Sequence, residues 1–224
     1  MQVYSDKEIY SKASSFRLDE ILSIERFNRY LAWAGNDRPN AFQLYALNTQ
    51  LSESLYTSLQ MLEIALRNRI HVVMSEKFSE YWFDEQTIMT TAYQQKRIKN
   101  AKKELSIEGK PLSPSGVIAK LMLGFWTTLL NRDHVNLWHQ CLYQIAESKK
   151  RKHLAHPLAQ IRLLRNRIAH HEPILHWDLP AHHQKILTTP KILSNAAFEW
   201  RTHHCRFEAV WGARPVMHIS NSLS

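Results

Sequence analysis

Apolar residues recur at three- and four-residue steps over most of the chain. The clearest run starts after Pro39 and places one apolar stripe along a helix: Leu44, Leu47, Leu51, Leu55, Leu59, Leu62, Leu66, Ile70 and Val73. This spacing predicts one long amphipathic helix. A shorter helix is expected before it, over residues 24–34, begun by Ser23 and ended by Gly35.

The remainder of the chain shows the same helical pattern in shorter segments. Helices are expected near 86–105, 115–131, 134–147, 155–170 and 190–211, and the stretch 106–116, with two prolines and two glycines, predicts a loop. No segment sustains the period-two alternation of a strand, and the chain has only five glycines for tight turns. The pattern therefore predicts an all-α fold built as a helical bundle.

Length and composition are typical of one self-sufficient domain. The 224 residues, 44% of them hydrophobic, are enough to bury a core without disulfides. Only two cysteines occur, Cys141 and Cys205, far apart and without the spacing of a metal site, which favours a reducing compartment. The chain has neither the apolar run of a signal peptide near its first residues nor a stretch long enough to span a membrane. We expect a soluble, cytoplasmic protein.

Charge is distributed unevenly along the chain. Residues 1–85 carry 9 basic and 12 acidic side chains, whereas residues 86–224 carry 20 and 8. The excess of basic side chains in residues 86–224 favours a polyanionic partner, because lysine and arginine displace counterions from phosphates. The most informative cluster of basic residues precedes a repeated motif and extends into it: Lys149, Lys150, Arg151, Lys152, Arg162 and Arg167. These residues are expected to bind RNA.

The repeated motif is LRNRI, which occurs at residues 66–70 and again at 164–168, where the chain continues AHHEPI. In the second copy Asn166 and His170 are i, i+4 neighbours on a polar stripe. Arg165 lies at the edge of the apolar stripe, where a guanidinium is costly to bury without an anion. Pro173 cannot continue a helix, so the helix is expected to end near His170 or His171.

Arginine, asparagine and histidine at a helix end suit one chemistry in particular. RNA supplies its own nucleophile, the 2′-hydroxyl, so that His170 would transfer protons, Arg165 would stabilise charge on the phosphorus and Asn166 would orient one of them. By spacing alone the signal is weak, since pairs such as Arg151 and His156 also occur. The adjacent asparagine, the doubled histidine with His171 and the basic approach favour the second copy.

These residues resemble a known family. The stretch LRNRIAHHEPI is similar to the Arg-x4-6-His motif of HEPN domains, and the segments at 25–68 and 124–130 resemble the Abi-like (abortive infection) branch of that superfamily. The resemblance covers about 16–176 of a single domain spanning 1–224, and leaves 177–224 as a C-terminal helical extension. It implies an all-α bundle, metal-independent endoribonuclease activity, a homodimer with the cleft at its interface, and a role as a toxin or phage-defence effector. By this resemblance Arg165, Asn166 and His170 take the catalytic positions.

The first copy leaves two interpretations open. Glu63 and Arg67 are i, i+4 on the long helix, and could form an ordinary helical ion pair. Alternatively this face packs beside the second copy, with Glu63 fixing an arginine there and Arg67 or Asn68 adding a phosphate contact. On the second interpretation these residues support the catalytic ones.

Thirteen histidines raise the question of a metal. The histidines of HEPILH, His171 and His176, are five apart rather than four, and a proline interrupts the helix that would align them, which disfavours zinc. The remaining pairs, at 182–183 and 203–204, are expected to be exposed helix and loop residues rather than ligands. Neither metal nor cofactor is expected.

The sequence therefore predicts a metal-independent endoribonuclease that acts on RNA as a homodimer, with an antitoxin protein or regulatory RNA as a further partner and no membrane. The alternative is a non-catalytic module that holds RNA or a protein partner in the same basic cleft. In that case we expect His170 to be held by a core carboxylate and Arg165 to be locked in an internal ion pair.

Overall fold

A computed structural model describes residues 21–146 and 150–214, and over these ranges it is all-α, without a β-strand. This confirms the expected fold class. The α-helices in chain order are α1 (Ile24–Trp33), α2 (Arg38–Lys77), α3 (Ala92–Ile107), α4 (Pro114–Lys120), α5 (Leu123–Thr128), α6 (Val135–Gln140), α7 (Arg151–Ala169), α8 (Leu179–Leu193), α9 (Asn195–His204) and α10 (Phe207–Ala213). Short 3-10 helices span Trp82–Asp84, Arg132–His134 and Leu142–Ile145.

The long helix predicted from the leucine stripe is α2, whose 40 residues form the axis of the fold. Asp37 caps its first turn: the Asp37 carboxylate accepts a hydrogen bond from the backbone N–H of Asn40 at 3.1 Å. Leu51, Leu55 and Leu62 are completely buried. The helices α1, α5, α8, α9 and α10 pack against α2. The periodicity thus located the central element correctly.

The shorter helices differ from expectation where the chain breaks locally. The segment expected to be one helix over 115–131 is α4 and α5, because Leu121 and Met122 adopt extended angles between them. The indole N–H of Trp126 donates to the Leu121 carbonyl at 3.0 Å, which satisfies one backbone acceptor released by the break. Trp126 and Trp138 are buried, as expected for the bundle interior.

The helix over 134–147 likewise ends early, at Gln140, and gives way to a 3-10 turn. Helix α3 begins six residues later than expected, at Ala92, because Thr91 caps it by accepting from the Gln94 N–H at 3.3 Å. The predicted loop is confirmed but shorter, since α3 continues to Ile107 and α4 begins at Pro114. Local caps, rather than periodicity, set these boundaries.

Helix α7, which carries the second LRNRI copy, begins at Arg151 and includes Pro157. It starts earlier than expected because Leu154 is buried and extends the apolar stripe of Leu158 and Ile161 by one turn. Its end, at Ala169, is where Pro173 predicted it. Helix α7 packs between α5 and α8.

The C-terminal part is more helical than the pattern indicated. Helix α8 lies in the expected C-terminal helical extension, but its bounds were not predicted. The helix expected over 190–211 is interrupted at Ser194, which caps α9, and again at Cys205. Both cysteines are free. No helix within residues 21–146 and 150–214 is long and apolar enough to cross a membrane.

Candidate functional site

The end of α7 is a well-formed helix stop. The N–H of His171 donates to the carbonyl of Ile168 at 3.1 Å, and the N–H of Glu172 donates to that of Arg167 at 2.8 Å. These bonds are those of a Schellman motif, whose residue after the cap is left-handed and is usually glycine. Here that residue is His171, with φ of 56°. The two histidines therefore differ in position: His170 is the C-cap and His171 is the left-handed residue that turns the chain.

The turn after the helix is fastened by Arg167. Its Nε donates to the Pro173 carbonyl at 3.2 Å, its Nη2 lies 3.4 Å from a carboxylate oxygen of Glu172, and its guanidinium lies 5.4 Å from the centre of the Trp177 ring. The N–H of Ile174 donates to the buried Asn48 of α2 at 2.7 Å. Arg167, expected to bind RNA, is thus engaged within the chain, where it holds the turn that carries the histidines.

A histidine beside this turn is kept neutral. Burial lowers the pKa of His176, and the positive charges of Arg167 and Arg29 lower it further. Its Nε2 accepts the indole N–H of Trp177 at 3.0 Å. In the described part of the chain, no group of three histidine, cysteine or acidic side chains is placed to hold a metal ion.

Arg165 lies in an open cleft between α2 and α7, where it meets the carboxylate of Glu63, three residues before the first copy. Its Nη2 lies 3.5 Å from Oε2 of Glu63, and the two side chains are 22% and 19% exposed. The cleft has a volume of about 450 Å³. The residues lining this α2–α7 cleft are Tyr56, Leu59, Gln60, Glu63, Ile64, Arg67, Met122, Arg165, Ile168 and Ala169.

The first LRNRI copy contributes to the same cleft. Glu63 pairs with Arg165 across the helices, whereas Arg67 makes no ion pair within the described residues and its Nε donates to Oδ1 of Asn68 at 3.3 Å. Of the two interpretations of the first copy, the structure agrees with the second: Glu63 pairs with Arg165 of the other helix and not with Arg67 of its own. With two arginines and one glutamate, the cleft retains a net positive charge.

Asn166 and His170 do not line this cleft. Asn166 is half-buried and His170 is exposed, and neither side chain hydrogen-bonds to a residue in the ranges 21–146 and 150–214. Arg165 and His170 are five residues apart, which is about 140° around an ideal helix. A single chain therefore brings together Glu63, Arg67 and Arg165 but leaves His170 on another side of the helix end.

The basic residues before the motif lie along the first part of α7. Arg151, Lys152 and His156 line a shallow depression of about 690 Å³ together with Arg132 and Asp133 of the 3-10 helix. Arg162 lines a neighbouring depression of about 210 Å³. Asn131 and Ala155 border both, so that the two form one basic groove. The guanidinium of Arg151 donates to the Leu130 carbonyl. Lys150 is exposed just before the helix, and Lys149 lies outside the described residues.

Some lining residues, such as Tyr56 and Gln60, were not predicted. They precede the predicted Glu63 and Arg67 at helical spacing beside the leucine stripe, so the sequence held a signal for the α2 wall. Met122 carried none, because it enters the cleft through the break between α4 and α5. His183 was expected to be exposed, and this is wrong: it is buried, 3% exposed, against the ring of Phe207.

Comparison of the chain with family models, with curated proteins and with solved structures gives no match.

Proposed function

We propose that this protein is a metal-independent endoribonuclease of the HEPN type, similar to the Abi-like branch, acting in the cytoplasm as a toxin or phage-defence effector. The observation that carries the proposal is the placement of Arg165 and His170. Arg165 is oriented by Glu63 in an open, positively charged cleft, and His170 is exposed on a helix end that Arg167 holds in place. The basic groove along α7 provides further phosphate contacts.

The chemistry assigned to these groups is intramolecular transfer within RNA. The 2′-oxygen attacks the adjacent phosphorus, the bond to the 5′-oxygen breaks, and the products are a 2′,3′-cyclic phosphate and a 5′-hydroxyl. Histidine exchanges protons near neutral pH, so His170 takes the 2′-proton or supplies one to the leaving oxygen. Arg165 stabilises the charge that develops on the phosphoryl oxygens, and Asn166 orients the reacting groups. His171 and Asn68 support them.

The active form we propose is a homodimer. The α2–α7 cleft holds Arg165 without His170, so one chain lacks half of the catalytic pair at its own phosphate site. Two copies related by a twofold axis would place His170 of each beside Arg165 of the other. An antitoxin protein or a regulatory RNA that covered the cleft would block this pairing.

The decisive experiment incubates the purified protein with a mixed RNA pool, with and without EDTA, and analyses the ends of the products. We expect cleavage that survives chelation and leaves cyclic phosphate and 5′-hydroxyl ends. Activity abolished by EDTA and restored by a divalent ion would refute the mechanism.

Assembly is tested by light scattering and by refolding His170→Ala chains together with Arg165→Ala chains. Activity recovered only in the mixture is the expected result for a composite site. A monomer that cleaves at full rate over a wide dilution range would refute the dimer.

One contact favours the second candidate, a module that binds RNA or a protein without cutting. Arg165 already has an anionic partner in Glu63, as an internally paired structural arginine would. For this candidate we expect RNA binding that weakens steeply with salt but no cleavage products in the mixed pool. Glu63→Gln, which frees Arg165, would then strengthen binding without producing activity.

A further inference from the structure

The C-terminal helices enclose a polar cluster that has no part in the proposed RNA chemistry. His183 of α8 and Arg201 of α9 are 3% and 1% exposed, and Cys205, which comes directly after α9, is half-buried between them and α10. Three residues capable of acid–base or ionic interactions inside a small helical layer are unusual, because burying such groups is costly unless they are paired.

Arg201 lacks the partners that a buried guanidinium requires. Its Nη2 donates to the Leu187 carbonyl at 3.4 Å, and its guanidinium lies 5.2 Å from the centre of the Phe198 ring. Its Nε and Nη1 are buried without a hydrogen-bond partner. Cys205 follows Arg201 by one helical turn, and its backbone N–H donates to the Arg201 carbonyl at 2.9 Å. Burial lowers the pKa of Arg201. A negative sulfur at Cys205 would supply the anion that the buried guanidinium lacks.

The thiol also lies within hydrogen-bonding distance of an imidazole. Nε2 of His183 lies 3.3 Å from Sγ of Cys205, and the imidazole packs against the Phe207 ring at 4.4 Å between centres. Burial lowers the pKa of His183 and Arg201 lowers it further, while Glu208 of α10 acts in the opposite direction. The nearby Glu53 of α2 is already paired with Arg206. At neutral pH the imidazole is uncharged and can accept the S–H proton.

We propose that Cys205 is a peroxide-sensitive thiol, activated by the His183 imidazole and the Arg201 guanidinium. The sulfur attacks one oxygen of hydrogen peroxide, an S–O bond forms and the O–O bond breaks. The S–H proton passes through His183 to the departing hydroxide, which leaves as water. The sulfur is oxidised by two electrons to a sulfenic acid, and the peroxide is reduced. Cys141, which is fully buried and whose thiol pKa burial raises to about 11, is not activated in this way.

The test compares folded with unfolded protein, and so requires no variant. Folded protein and protein in urea are treated with hydrogen peroxide, the sulfenic acid is trapped with dimedone, and labelling of the Cys205 and Cys141 peptides is measured by mass spectrometry. Burial alone slows a thiol, so an ordinary half-buried cysteine reacts faster after unfolding. We expect Cys205 to react at least about tenfold faster in the folded protein, with Cys141 showing the reverse. Faster labelling of Cys205 in urea would overturn the proposal.

Variants then identify the activating groups. Arg201→Met and His183→Phe are each expected to slow labelling of Cys205 by roughly tenfold, because each removes a group that assists loss of the S–H proton. Arg201→Lys, which keeps the charge, should retain most of the rate, as should the matched control His204→Gln on the exposed side of α9. Unchanged rates in both Arg201→Met and His183→Phe, in protein shown to be folded by circular dichroism, would also overturn it.

Discussion

The two LRNRI copies are one pentapeptide in two settings, and their first halves behave alike. Leu66 and Leu164 are both fully buried. The arginines next to them, Arg67 and Arg165, line the same cleft. Because the position of an arginine next to a buried leucine is a local property of a helix, both copies place it at the same edge of the apolar stripe. The repetition thus reflects two helices presenting equivalent edges to one another.

The second halves differ because one copy lies inside a helix and the other lies at a helix end. The first copy is within α2, which continues to Lys77, and Nη2 of Arg69 donates to the Gln144 carbonyl at 3.3 Å. The second copy is only one residue short of the helix end at Ala169, and the equivalent arginine, Arg167, holds the turn. A helix interior leaves its backbone groups satisfied, whereas a helix end requires side chains and turns to satisfy them.

The histidines after the two copies differ most. His71 is half-buried, and its Nδ1 accepts the indole N–H of the fully buried Trp82 at 3.1 Å. Oγ of Ser75 lies 3.3 Å from the same nitrogen. Burial lowers the pKa of His71, with Glu80 acting in the opposite direction. His170 is exposed. The comparison assigns a structural role to the first histidine and leaves the second available for chemistry.

The largest effect is expected on cleavage. His170→Ala and Arg165→Ala should each reduce the initial rate of RNA cleavage by about two orders of magnitude or more, the scale of removing a proton-transfer group or a charge stabiliser. Arg67→Ala, the equivalent change in the first copy, should cost less than about tenfold. An equal loss in Arg67→Ala, or in Arg151→Ala and His156→Ala, would show that the catalytic copy has been chosen wrongly.

For the free energy of unfolding, the substitution of the histidine after the first copy should have the larger effect. His71→Ala leaves the indole N–H of Trp82 buried without an acceptor, which costs about 1–3 kcal/mol in the free energy of unfolding. His170→Ala removes an exposed side chain and should change it by less than about 0.5 kcal/mol. Urea unfolding measures both. His71→Gln, which can keep an acceptor, serves as the matched control, and a large loss in His170→Ala would mean that His170 has an unrecognised structural contact.

The pH dependence of unfolding tests the structural role of His71 in a second way. The pKa values of His71 and His134 are lowered by burial in the folded protein, so the unfolded chain binds protons first as the pH falls. The free energy of unfolding should therefore decrease from about pH 6.5, the ordinary histidine pKa, until the folded pKa values are reached. His71→Gln should reduce this decrease, because it removes one of the histidines whose pKa burial lowers. A protein whose stability rises on acidification through this range would contradict the assignment.

The smallest effect concerns the left-handed residue after α7. His171→Gly should be neutral or stabilising by up to about 1 kcal/mol, because glycine adopts a positive φ without a steric penalty. Val72→Gly, in the interior of α2 and 45% exposed, should destabilise by about 0.5–1 kcal/mol. Thermal unfolding of the two variants gives the sign directly. Destabilisation by His171→Gly of the same size would show that the His171 side chain stabilises the turn.

Prediction from sequence succeeded for features that depend on a single helix and failed for features that depend on contacts between helices. The stripe of leucines located α2, and Pro173 located the end of α7. The break at Leu121 and Met122 was missed because both residues are apolar and fit a helical pattern. The expectation that His183 is exposed was wrong, because the bounds of α8, which packs it against Phe207, were not predicted.

By itself, the sequence determined the all-α class, the central forty-residue helix and the helix stop that carries His170, because periodicity, caps and proline act within a few residues. Only the tertiary structure decided that Glu63 meets Arg165 across 102 positions and that His183 meets Cys205. It also decided that His170 stays outside the cleft of its own chain. Local spacing determines which face of each helix is apolar, but which faces meet depends on how all of them pack together around α2.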